Sequence, residues 1–161
     1  MRGVLSLVWA VPERGNGSDK PTGGDVENEG NGHPDPATVL VVEDEVLVRM
    51  AVADHLRHCG YRVLEAKTGE EAQAILRAGE LIEILFSDVD LGAGINGLDL
   101  ARWTRTHYGD IRIILTSGVM RMTDAVRKLC DLPLVNKPYA YDTLAANIKA
   151  LIGALGSRRD D

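Results

Sequence analysis

The sequence predicts an α/β domain, a parallel five-stranded sheet with helices on both faces. Three observations carry the prediction. Short apolar, β-branched runs recur five times between residues 38 and 137. After each run, apolar residues return at the spacing of one helix face. The connections are short, which suits strand–helix–strand crossovers, and strands buried on both faces read as continuous apolar runs.

The elements follow in order. "TVLVV" (38–42) is the first strand. Residues 45–59 have helical period, with Val48, Ala51, Val52, His55, Leu56 and Cys59 on one face and Gly60 as the stop. "YRVLEA" is the second strand. "TGEEAQAILRAG" is a helix with Thr68 as N-cap, Glu71 completing a capping box and Gly79 ending it. "IEILFS" is the third strand, and residues 97–107 form the third helix. "IRIILTS" is the fourth strand, with a weaker helix over 120–129. "LPLVNK" is the fifth strand, and the last helix covers 140–155 with Leu144, Ile148, Leu151, Ile152 and Leu155 on one side. Right-handed crossovers leave few arrangements for five such units. The flavodoxin-like (βα)5 sandwich of order 2-1-3-4-5 is the expected one, with ligands gathering at the carboxyl ends of the strands.

Composition divides the chain. Residues 1–36 hold seven of the 17 glycines and four of the six prolines. Such a stretch cannot bury enough apolar surface to offset its ordering entropy, so 1–36 is expected to be a disordered extension. The folded domain is expected over 37–155, with a short tail at 156–161. No apolar run is long enough to cross a bilayer. "MRGVLSLVWAV" lacks a convincing cleavage site for a signal peptide, so a cytoplasmic location is expected. Cys59 and Cys130 have no metal-like spacing and read as two buried thiols. A net charge of −6, without a basic block, disfavours nucleic acid and anionic membrane as partners.

The strand ends carry the chemistry. Strand one ends in Glu43-Asp44, strand three in Ser87-Asp88, strand four in Thr116-Ser117 and strand five in Lys137. In the expected sheet these ends are neighbours. Clustered carboxylates raise one another's pKa unless a cation sits among them. A few hard oxygen ligands suit Mg²⁺, while a lysine and a hydroxyl suit phosphoryl oxygens. The inventory points to Mg²⁺-assisted phosphoryl chemistry with a carboxylate nucleophile. Taken singly, each feature has a plainer reading: Glu43-Asp44-Glu45 as acids at a helix N-terminus, and Asp88 and Asp90 as turn formers. Jointly, at one sheet edge, the plain readings require four coincidences.

"VLVVEDE", "LFSDVDLG" with its aspartate forty-four residues past Asp44, "IILTSG" and "LVNKPY" together resemble the receiver domain of two-component response regulators. The resemblance covers residues 38–155. It implies that Asp88 is the phosphoacceptor, taking its phosphoryl group from a histidine kinase or histidine phosphotransfer protein. It further implies that Glu43, Asp44, Asp88 and the backbone carbonyl of Asp90 serve the Mg²⁺ ion. Lys137 would pair with phosphoryl oxygens, Thr116 would turn its hydroxyl to them, and the Lys137–Pro138 bond would be cis. Four positions depart from the usual pattern: Glu43 in place of Asp, Gly92 in place of Pro in a loop one residue longer, Leu134 in place of an aromatic, and Asp90 as an added acid. The Gly92 loop is expected to be the more mobile for its glycines.

"ILFSDVDLG" also resembles the signature of haloacid-dehalogenase-type phosphatases, with Asp88 as nucleophile and Asp90 as general acid. That family places acidic metal ligands after the lysine, and beyond Lys137 this domain offers only Asp142. With no output domain expected after the last helix, the sequence implies a stand-alone receiver. It would act on a downstream protein target by binding, or pass the phosphoryl group on. A pseudo-receiver that binds partners without phosphorylation is the alternative.

Overall fold

The computed structural model describes residues 35–119 and 123–159. Five strands and five helices alternate: β1 (Thr38–Val42), α1 (Val46–His58), β2 (Arg62–Ala66), α2 (Gly69–Arg77), β3 (Ile84–Asp88), α3 (Gly97–His107), β4 (Arg112–Ser117), α4 (Asp124–Arg127), β5 (Val135–Asn136) and α5 (Tyr141–Arg159). The strands form one parallel sheet of order β2-β1-β3-β4-β5, the flavodoxin-like arrangement that the alternation predicts. The expected extension falls outside the described residues except for Asp35 and Pro36, and so do the first three residues of the expected fourth helix.

Alternation along the strands builds two cores. Leu40, Val42, Leu85, Ile113 and Leu115 face one side, where Ala72 and Leu76 of α2 and Leu100 and Ala101 of α3 cover them. Val39, Val41, Ile84, Phe86 and Ile114 face the other, against Val52, Ala53 and Leu56 of α1 and Leu144 and Ile148 of α5. Each fully buried side chain of this size contributes about 1.5–3 kcal/mol. With both faces covered, the buried acids Glu43 and Asp88 and the buried hydroxyls of Ser87, Thr116 and Ser117 gather where the strands end, and that is where the site lies.

Several elements differ from the sequence reading. On α1 the buried residues are Val52, Ala53 and Leu56; His55 is only half-buried and Cys59 is exposed. The inward stripe is turned toward Arg49, whose guanidinium donates to the carbonyl of Glu43 at 2.8 Å and so belongs on the inner side despite its charge. Cys59 is therefore not a buried thiol, and Cys130 is half-buried. His55 is no core histidine: its Nε2 lies 3.4 Å from Asp142 Oδ1, and its ring lies against Tyr141. The α4 helix has only four residues and β5 only two. Pro133 and Pro138 bracket β5, and neither has an N–H to lend to the ladder. The last helix runs to Arg159 instead of stopping at 155.

The second helix starts as expected, with Thr68 Oγ1 accepting from the Glu71 amide at 3.2 Å. The reciprocal half is shifted, since the Glu71 carboxylate accepts from the Lys67 amide at 2.9 Å, one residue before the N-cap. Gly79 follows the C-cap with φ +84, the left-handed conformation that glycine adopts without strain.

Candidate phosphoryl and metal site

Parallel register places the site. Val42 pairs with Ser87, and Asp88 pairs with Thr116, so the residues just past β1 and at the ends of β3 and β4 meet at one sheet edge. β5 joins β4 through Ser117 and Asn136, and the next residue, Lys137, donates its amide to the Ser117 carbonyl at 3.0 Å. The Lys137–Pro138 bond is cis, as the resemblance implies.

Lys137 Nζ lies 2.6 Å from Asp88 Oδ2 and 2.8 Å from Glu43 Oε2. Glu43 is 1% exposed and Asp88 5%. Burial alone would lower the lysine's pKa most, but its bonds to Asp88 and Glu43 and their charges together win and raise it. Burial raises the pKa of Glu43, more than the Lys137 bond lowers it, and the charge on Asp88 adds to the rise. Asp44 stands exposed at the rim. A carboxylate oxygen from each of Glu43, Asp44 and Asp88 can be chosen so that all lie within 4.8 Å of one another. Three hard oxygen donors at that spacing, one of them open to water, fit a small divalent cation that keeps part of its hydration. Among the described residues this is the one such grouping, and neither His55 nor Cys59 takes part in one.

The supporting contacts are local. The Glu45 amide donates to Glu43 Oε1 at 3.2 Å, and the Asp90 amide to Asp88 Oδ1 at 3.2 Å. Glu45 is the N-cap of α1 but makes no side-chain cap bond, and the helix has no acid in its first turn. Glu43, of the acids beside β1, turns its carboxylate to Lys137 across the strand ends. Asp90 is exposed, with its backbone beside the Asp88 carboxylate. Thr116 is fully buried, and its Oγ1 has no hydrogen-bond partner. A buried hydroxyl left unpaired costs free energy.

Two residues at the site escape a sequence reading. Arg49 braces the turn after β1 through the Glu43 carbonyl and lies 3.6 Å from Glu65 at the end of β2. Its only signal is an arginine just after an acidic pair. Tyr139 packs edge-on against Phe86 with its hydroxyl buried and unpartnered, and burial raises its pKa, with Glu43 adding to the effect. Nothing in "NKPYA" marks that tyrosine as facing inward.

The resemblance now has independent support. Residues 39–149 match the family described as response regulator receiver domain. The chain is 37% identical over 122 residues to the sensor kinase CckA of Brucella abortus, covering 72% of this chain and 12% of that protein. It is 31% identical to a probable transcriptional regulatory protein of Picosynechococcus, covering 72% of this chain and 49% of that one. The chain thus spans half or less of these two curated relatives. Among solved structures it is similar to the response regulator TrrA of Thermotoga maritima in complex with Mg(2+)-BeF, at 29% identity and TM-score 0.65, covering 71% of this chain and 98% of that one. A receiver from Pseudomonas putida gives 26% identity and TM-score 0.66, covering 71% and 97%. With the sheet order, the acids past β1, the aspartate ending β3 and the lysine past β5 all in the family's order, the chain belongs to the response regulator receiver domain family.

Proposed function

We propose that the chain is a phosphoacceptor of a two-component or phosphorelay system, with Asp88 as the residue that receives the phosphoryl group. The carrying observation is the buried Asp88 carboxylate held at 2.6 Å by Lys137 beside Glu43 and Asp44. In the reaction an Asp88 oxygen attacks phosphorus and the P–N bond to the donor imidazole breaks. The electron pair returns to the ring nitrogen, and an acyl phosphate is left on Asp88. Glu43, Asp44, Asp88 and the Asp90 carbonyl would hold Mg²⁺, which supplies charge neutralisation for the incoming phosphoryl oxygens. Lys137 keeps a positive charge at that place, and the unpaired Thr116 hydroxyl offers a donor. The kinship with a sensor kinase and the Mg(2+)-BeF complex of TrrA support a histidine kinase or phosphotransfer protein as donor and Mg²⁺ as cofactor. Output by contact with a downstream protein, or by onward transfer, belongs to the same reading. Among the described residues no helix is long and apolar enough to cross a membrane.

The phosphatase reading is not favoured. The acids that join Asp88 at the site come from beside β1, and Asp142 is almost wholly exposed and faces His55.

Intact mass after incubation with Mg²⁺ and acetyl phosphate tests the proposal. One added phosphoryl group is expected on wild type and on Asp90→Asn, and none on Asp88→Asn. No adduct on folded wild type would leave a pseudo-receiver, and steady release of phosphate from simple esters would restore the phosphatase.

A further inference from the structure

The loop after β3 is tied to the first turn of α2. Glu70 Oε1 accepts the amide of Ile95 at 2.9 Å, across twenty-five residues of sequence. That bond holds the Glu70 carboxyl below the usual carboxylate range, so the acceptor is ionised at neutral pH. Two glycines make the close approach possible. A Cβ on Gly69 would stand 2.6 Å from the Ile95 carbonyl oxygen and 2.7 Å from the Ile95 Cβ. Gly94 has φ +95, and a Cβ there would run into the Glu70 carboxylate.

The same loop carries the metal side of the site. Its first residues place the Asp90 amide on Asp88 Oδ1, and Gly92, at φ +70, has its Cβ position 3.5 Å from Asp44 Oδ2. Its far end is pinned by the Gly97 amide on the Val89 carbonyl at 2.9 Å and by Asn96 capping α3. Between those pins, among the described residues, the bond to Glu70 is the one side-chain hydrogen bond that reaches the loop from another element. The longer, glycine-rich segment is thus held over the acids by a carboxylate from the neighbouring helix.

We infer that Glu70 is a positioning residue for divalent-cation binding, fixing through the Ile95 amide the loop that brings Asp90 and Gly92 beside Asp88 and Asp44. The inference rests on the proposed Mg²⁺-dependent phosphoacceptor. It specifies a residue outside the acidic cluster, on an element that contributes no ligand. Supporting groups one step behind metal ligands change affinity by about 10–100-fold. Glu70 acts one step further out, so an effect of about fivefold is expected on the same scale.

Titration calorimetry of Mg²⁺ without any phosphodonor supplies the test, run on wild type, Glu70→Ala, Glu70→Gln and Leu76→Val. Glu70→Ala should weaken Mg²⁺ binding about fivefold, and Glu70→Gln, which keeps an acceptor, should stay within about twofold of wild type. Leu76→Val trims a buried residue at the other end of α2 and should leave Mg²⁺ affinity unchanged. Faster hydrogen exchange at the Ile95 amide in Glu70→Ala alone should accompany the loss. With acetyl phosphate, the half-saturating Mg²⁺ concentration should rise in Glu70→Ala while the rate at saturating Mg²⁺ returns to that of wild type. Wild-type affinity in Glu70→Ala, or an equal loss in Leu76→Val, would overturn the positioning role and leave the phosphoacceptor reading standing. A wild-type chain that binds no Mg²⁺ would overturn both.

Discussion

Lys137 decides how two buried carboxylates coexist. Its ammonium touches Glu43 and Asp88 at once, and removing one partner of a buried ion pair costs about 3–5 kcal/mol. Lys137→Met should therefore lower the unfolding free energy by about 3 kcal/mol at pH 7 in the absence of divalent cations, read from urea midpoints. The pH dependence has a definite sign. Glu43 already titrates above its ordinary value, and losing the lysine raises it further. A raised acid costs nothing below its unfolded value, and its cost grows as pH rises from there to the folded value, where it levels off. Acidification from neutral pH to the ordinary carboxylate value should narrow the gap between variant and wild type, and a gap that widens would contradict the assignment. The acids and Lys137 were legible in the sequence because each stands where an apolar run stops. Arg49 was not, since an arginine on a helix is read as surface until its partner, here a main-chain carbonyl, is seen.

Asp131 works between elements. It accepts from Arg105 of α3 at 2.7 Å, from Arg112 of β4 at 3.0 Å and from the Ile113 amide at 2.8 Å, tying the segment after α4 to the sheet. Burial alone would raise its pKa, but these bonds outweigh it and the value lies below 3.8. For a depressed acid the stabilisation is complete above the unfolded value and is lost as pH falls through the folded one. Asp131→Asn should cost about 2 kcal/mol at neutral pH, and the difference from wild type should hold down to about pH 4 before it closes. Gly97 shows the opposite kind of constraint. A Cβ there would strike the Asp88 carbonyl, so Gly97→Ala should destabilise by about 1–3 kcal/mol and displace the end of β3. Thermal melts and the acetyl phosphate reaction would read those two effects separately. At this scale the sequence was clearest for β1 to β4 and α3, whose patterns are long enough to have a period. It was poor for α4 and β5, where four and two residues carry none and tertiary contacts such as those of Asp131 set the path.

The described domain is built on one sheet whose order follows from crossover handedness, and that is why its topology could be read before its coordinates. The two cores on its faces are closed, so what binds at the strand ends adds to stability by mass action. At one hundred times its dissociation constant, Mg²⁺ should stabilise wild type by about 2.7 kcal/mol. Asp44→Ala should show little of that gain, measured as the shift of the urea midpoint on adding the ion. The topology has a further consequence in time. Glu43 and Lys137 stand ninety-four residues apart in sequence yet meet at 2.8 Å, and the lysine follows the shortest strand of all. During synthesis Glu43 and Asp88 leave the ribosome well before the ammonium that pairs with both. A nascent chain therefore cannot pair Glu43 and Asp88 with their common cation until the segment after β5 has docked.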